Sequence, residues 1–151
     1  EACRGAWRAA DWGVNALACA QDRQFQGQFR VLWLGDPSIL PLDPTRIDRS
    51  VSYTLTRNGP GDVREVLRAP EKDADRVVAR AVQVARRGET SRLGRMLAPA
   101  SVRYVAVALR NGPGGSAGNT PADLARALDS QLDLARIPSS PSALVFSAND
   151  T

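Results

Sequence analysis

Phe29, Val31 and Trp33 alternate with Arg30, Leu32 and Leu34 before Gly35-Asp36-Pro37 closes the run. Apolar residues at both phases, ended by turn formers, predict a largely buried strand. Val51, Tyr53 and Leu55 alternate with Ser52, Thr54 and Thr56 up to Asn58-Gly59-Pro60-Gly61. That is the period of a half-exposed strand followed by a turn. "VRYVAVAL", from Val102, is continuously apolar and predicts a central strand, and "ALVFS" near the end predicts another. Between them the period lengthens. Val77, Ala81 and Val84 form one row, and Val78, Val82 and Ala85 the next. Together they mark the apolar face of a helix over about residues 73–87, with Gly88 as its end.

The other elements are shorter. Asp62 is a cap for a helix in "VREVLR" that stops before Pro70. Thr90 or Ser91 caps a helix through "RLGRMLA", stopped at Pro99. Thr120 followed by Pro121 reads as N-cap and first helical position. Leu124, Leu128, Gln131 and Leu132 carry that helix to about Ala135. Pro37, Pro41 and Pro44 predict an ordered loop after the first strand, because proline cannot donate to a sheet ladder. Residues 1–28 hold Trp7, Trp12 and an apolar cluster at Val14, Leu17 and Ala18, compatible with one short helix.

This order predicts a single α/β domain. Its sheet is mixed, partly parallel, with four or more strands and helices packed on it, and residues 1–28 are an extension packed against it. A chain of 151 residues suits one core. Aromatics are only 5%, so that core must rest on Ala, Val and Leu. No window approaches the ~20 apolar residues of a membrane span. The chain opens on Glu1 without an apolar leader and stops soon after its last strand. Both ends suggest a soluble piece of a longer protein.

Composition removes several chemistries. There is no His, which excludes Ser–His and Cys–His nucleophiles and the usual His-bearing zinc and iron sites. No cofactor and no metal is expected. Cys3 and Cys19 are too few for a Cys-only zinc site. In a reducing compartment they are small buried residues; in an oxidising one they can form a disulfide, worth roughly 3 kcal/mol for such a loop. The net charge is +4, and Lys72 is the single lysine among 20 basic residues. Arginine in place of lysine fits a GC-rich bacterial genome. The arginines are spread along the chain without interleaved aromatics, so nucleic acid is not an expected partner. Arg76, Arg80, Gln83 and Arg87 do share one helix face. That row is either a solvated surface or a patch for an anion or a membrane surface.

The loop "RNGPGGSAGNT" imitates a phosphate loop. Gly118 and Thr120 occupy the places of the last Gly and Thr, but Asn119 replaces the Lys and Pro113 replaces the first Gly. "GPGGSA" matches a dinucleotide fingerprint, yet the helix begins only after a long loop. "RNGPG" also occurs at 57–61, after another strand. Asn-Gly-Pro-Gly is turn chemistry, because Asn and Gly tolerate positive φ. The ligand-binding reading has Arg57, Asn58, Arg110 and Asn111 meeting at one sheet edge around an anion. Asp36 and Asp43 lie on the loop after the first strand, where α/β sheets bind ligands. As a pair they suit acid–base work on a glycoside; singly, Asp36 suits a turn. Trp33 suits sugar stacking or the core.

Three segments together carry a resemblance: "FRVLWLGDPSILPL", "SYTLTRNGPGDV" and "RLGRMLAPASVRYVAVALRNGPG" with the later "LARALDSQLDL" and "ALVFSANDT". Over about residues 29–149 the chain resembles the soluble C-terminal region of large actinobacterial membrane proteins of the family-2 glycosyltransferase type. The pattern L-A-P-x-x-V-R-Y-V-x-V, followed by L-D-x-Q-L-D-L and a terminal strand, is its most specific part. The resemblance implies an extracytoplasmic domain of a multi-span protein acting in cell-envelope glycan assembly. Its partners would be the membrane-spanning part of its own parent chain and a glycan or lipid-linked sugar. It implies no catalytic residue here, since that family's catalytic carboxylates lie in a separate cytoplasmic domain. It also favours an oxidised Cys3–Cys19 pair. Two readings of other classes stand beside it: an independent nucleotide- or small-anion-binding α/β domain using loop 110–120, and a protein-interaction module.

Overall fold

A computed structural model of the chain describes residues 29–40, 44–57, 72–110, 115–137 and 143–148. Cys3, Cys19, Trp7, Trp12, Asp43, Asn58, Asn111 and the helix expected after Asp62 lie outside the described residues, as does the extension 1–28.

The elements run β1 (Arg30–Gly35), β2 (Thr45–Arg46), β3 (Ser52–Arg57), α1 (Lys72–Arg86), α2 (Leu93–Leu97), a 3-10 turn (Ala98–Ala100), β4 (Val102–Ala108), α3 (Ala122–Asp129), β5 (Leu134–Ile137) and β6 (Ala143–Ala148). They form one six-stranded sheet of order β2-β3-β1-β4-β6-β5. β1 and β4 are parallel; every other pair is antiparallel. The sheet is therefore mixed, as the alternation of strands and helices requires. Four strands stand where the apolar pattern puts them. β2 is an addition inside the proline-rich loop, and β5 replaces the end of the expected last helix.

β1 and β4 are central, and their side chains are buried on both faces. One face takes Leu32, Leu34, Tyr53, Val105, Val107 and Phe146, and all three helices pack on it. α1 contributes Val78, Ala81, Val82 and Ala85, while Val77 and Val84 flank that stripe only partly buried. The apolar face is thus one row narrower than the sequence rows suggest. Each fully buried Val or Leu stabilises the fold by roughly 1.5–3 kcal/mol. The other face holds Val31, Trp33, Tyr104, Ala106 and Val145, with Ile39 and Leu40 folded against it. Trp33 is completely buried and its Nε1 donates to Thr56 Oγ1 at 3.0 Å, which favours the core reading over sugar stacking.

α1 ends as expected. Gly88 adopts φ 72°, its amide donates to Ala85 O at 3.0 Å, and Glu89 N donates to Val84 O at 3.1 Å. These paired bonds are a Schellman cap, and the left-handed residue makes glycine the natural choice. α2 ends differently: Pro99 sits inside a 3-10 turn, and Ser101 at φ 58° turns the chain into β4. No helix among the described residues is long and apolar enough to cross a membrane.

Candidate functional site

The parallel pair brings the ends of β1 and β4 side by side, the edge at which open α/β sheets bind ligands. Gly35 and Asp36 leave β1 there, and Ala108, Leu109 and Arg110 leave β4. Gly35 has φ 148°. A Cβ at this position would stand 3.0 Å from both Ala108 O and Thr120 Oγ1, so only glycine lets the two strand ends and the returning loop close together.

The glycine-rich loop is pinned at both ends. Arg110 and Ala117 form an antiparallel bridge, and Gly118 N donates to Leu109 O at 2.9 Å. Thr120 Oγ1 donates to Ala108 O at 2.6 Å, so its hydroxyl serves the strand rather than capping α3. Pro121 is the N-cap, and it makes no side-chain cap bond. The expected Thr120 cap is thus corrected: β4's last carbonyl competes for the hydroxyl. Gly118 packs against Ile39, and a Cβ there would approach Ile39 Cδ1 to 2.4 Å.

Asp36 joins these parts. Its Oδ1 accepts from Ser38 N at 2.9 Å and Ser38 Oγ at 2.8 Å, and its Oδ2 accepts from Asn119 N at 2.8 Å. The Asn119 amide first, then the amide and hydroxyl of Ser38, hold the carboxyl below the usual aspartate range. Asp36 is therefore an ionised staple between the β1 turn and the glycine loop. A general acid needs the opposite shift. The amides of Gly118 and Asn119, two of the groups that would cradle a phosphate, already serve protein acceptors.

Arg57 and Arg110 are not brought together. Arg57 is in register with Arg30 at the start of β1, whereas Arg110 follows the end of β4. Arg57 and Arg110 thus lie at opposite ends of the strands, roughly 25 Å apart along them at about 3.3 Å per residue. The antiparallel direction of β3 is the cause. The convergence of these arginines on one anion is corrected accordingly. Arg110 itself is exposed, and its guanidinium donates to Gly115 O at 3.4 Å.

Three polar arrangements escaped sequence reasoning. Gln131 and Asp133, both buried, reach the N-terminus of α2. Leu93 N donates to Gln131 Oε1 at 2.9 Å, Gly94 N to Asp133 Oδ1 at 3.1 Å and Arg95 N to Asp133 Oδ2 at 2.7 Å. Three orphan amides of that short helix are satisfied by side chains about forty residues away. Neither Thr90 nor Ser91 makes the N-cap: Thr90 Oγ1 accepts from Arg92 N, and Arg92 occupies the cap position without a side-chain bond. In the second arrangement, Arg86 pairs with Asp48 and, at 3.1 Å, with Asp123, tying the β2–β3 turn, α1 and α3 together. Burial opposes ionisation of Asp48, but bonds from Ser50 and Val51 and the charge of Arg86 outweigh it and lower its pKa. In the third, Tyr53 donates to Asp75 on α1. Burial, then that bond and the carboxylate charge, push the phenol above its usual range.

A signal for the first arrangement is present in "SQLDL". Gln131 and Asp133 alternate with Leu132 and Leu134, which is a strand period rather than a helical one. No group of three or more His, Cys, Asp or Glu suited to a metal occurs among the described residues. The chain matches no family model, no curated protein and no solved structure.

Proposed function

We propose that the chain is a non-catalytic extracytoplasmic domain of a membrane glycosyltransferase-like protein, an accessory or packing module in cell-envelope glycan assembly. The observation that carries this reading is the use made of the segments on which the resemblance rests. V-R-Y-V-x-V is the central strand β4, and L-D-x-Q-L-D-L ends α3 and supplies Gln131 and Asp133 to α2. The resembling residues build a scaffold. Among the described residues the carboxylate at the ligand-binding edge is Asp36, held ionised by three hydrogen bonds, which suits a loop staple.

The test is made in cells expressing the gene that encodes this chain. A Ser130→Cys variant presents a thiol at an exposed position after α3. Labelling of intact cells by a membrane-impermeant maleimide, above the level of the unsubstituted protein, is the expected result. Labelling that appears only after lysis overturns the reading.

A further inference from the structure

The excess charge of this protein is confined to one part of it. Residues 72–97 hold seven basic and three acidic side chains, a net +4, which equals the net charge of the whole chain. The rest of the sequence is balanced. These residues are α1, α2 and their connection, both helices packed on the same face of the sheet. Their exposed side chains therefore look outward from one layer.

Arg76, Arg80, Arg92 and Arg95 are all exposed. None of the ion pairs among the described residues uses them; Arg86 and Arg87 are the basic residues of this stretch that carry such pairs. Arg76 and Arg80 are one helical turn apart on α1, so they share a stripe. Arg92 and Arg95 flank the start of α2.

A second observation points to the kind of partner. Leu132 is 71% exposed, the one large hydrophobic side chain left in solvent among the described residues. Its amide donates to Ser91 O at 2.8 Å, which places it beside Arg92. The next residue, Asp133, binds the amide of Arg95. An exposed leucine therefore stands at the border of arginines that have no ion-pair partner among the described residues. The described aromatics, Phe29, Trp33, Tyr53, Tyr104 and Phe146, are all buried. A surface for single-stranded nucleic acid would present such rings for stacking. Arginines with a bordering aliphatic side chain instead match a lipid surface, where guanidinium groups meet phosphates and the leucine enters the headgroup region.

We infer that the outer face of α1 and α2, with Leu132, is a docking surface for an anionic lipid bilayer. The domain then rests α1 and α2 on the membrane. The setting rests on the reading of the chain as a membrane-attached module; the surface chemistry does not.

The purified chain is sedimented with vesicles of phosphatidylcholine alone and with an equal mixture of phosphatidylglycerol and phosphatidylcholine. Binding to the mixed vesicles only, weakened by added salt, is expected. Arg80→Gln and Arg92→Gln each lower the partition coefficient about fivefold, the equivalent of one basic residue near an anionic surface. Leu132→Ser lowers it about tenfold. Circular dichroism confirms that these exposed variants fold. Equal binding to both vesicles, or binding unchanged in all three variants, overturns the inference. So does arginine-dependent binding of an RNA oligonucleotide without vesicle binding. Failure here together with external labelling of Ser130→Cys removes this surface and leaves the proposed location intact; vesicle binding with labelling only after lysis does the reverse.

Discussion

The backbone amide of Arg95 donates to the carboxylate of Asp133 across 2.7 Å, joining the first turn of α2 to the entry of β5. Asp133 accepts the Gly94 amide as well and is 4% exposed. Asp133→Ala leaves two buried or half-buried amides without partners and is expected to cost about 2–3 kcal/mol. Asp133→Asn keeps one acceptor oxygen and falls between. Urea unfolding of the three proteins measures the order.

Gly35→Ala places a methyl 3.0 Å from the Ala108 carbonyl at a φ of 148°. The carbonyl is backbone, and the Thr120 Oγ1 on the other side, also at 3.0 Å, is held by its bond to that carbonyl. The expected loss is about 3 kcal/mol, combining strain and overpacking. Gly88→Ala provides the contrast, because a Cβ there meets nothing within 4 Å and only the positive φ resists it, at about 1 kcal/mol.

Asp36 and Asp48 both have lowered pKa values in the folded protein. Each group therefore contributes stability that is present above the ordinary aspartate pKa, about 4. That contribution is lost as pH falls from there through the folded value. Asp36→Asn is expected to flatten the acid limb of a stability–pH curve while leaving the neutral limb parallel to that of the unsubstituted protein. An unchanged acid limb would contradict the staple.

Tyr53 has the opposite sign. Its pKa is raised, so its contribution is full below the ordinary tyrosine value near 10 and declines as pH rises above it. In an alkaline absorbance titration, the phenolate signal that Tyr53→Phe removes is expected to appear only with unfolding. Loss of the hydroxyl bond itself costs about 1 kcal/mol, because Asp75 is half-buried and can be hydrated.

Thr54 Oγ1 is buried with no hydrogen-bond partner among the described residues. Thr54→Val replaces that hydroxyl by a methyl of the same shape and is expected to stabilise the protein by about 1 kcal/mol. Thermal unfolding reads this as a raised Tm.

Much of the fold was legible in local pattern. β1, β3, β4 and β6 follow apolar runs, and α1 follows its two rows of Val and Ala to Gly88. Three departures lie where a distant group outbid a local one. Thr120 has the spacing of an N-cap, but the Ala108 carbonyl takes its hydroxyl. Thr90 and Ser91 are natural caps, yet Gln131 and Asp133 supply the acceptors to α2. Leu132 continues a helical period on paper and is exposed in fact, because Gln131 and Asp133 on either side of it turn to the start of α2. There the polar residues turn inward and the leucine outward. The candidate site was half visible: Asp36 as a turn residue was legible, but its bond to Asn119 spans 83 positions.

By itself the sequence determined β1, β3, β4, β6 and α1, because the spacing of apolar residues is a property of the local backbone. It also determined the absence of histidine chemistry and the charge excess in 72–97. Only the tertiary structure decided the direction and order of the strands. Running β3 against β1 and β4 with it separates Arg57 from Arg110 and sets Asp36 beside Asn119. It also decided that the basic helices share one layer, with Leu132 at the border of their arginines. Pairing direction depends on contacts between residues far apart in the chain, and no local period records those.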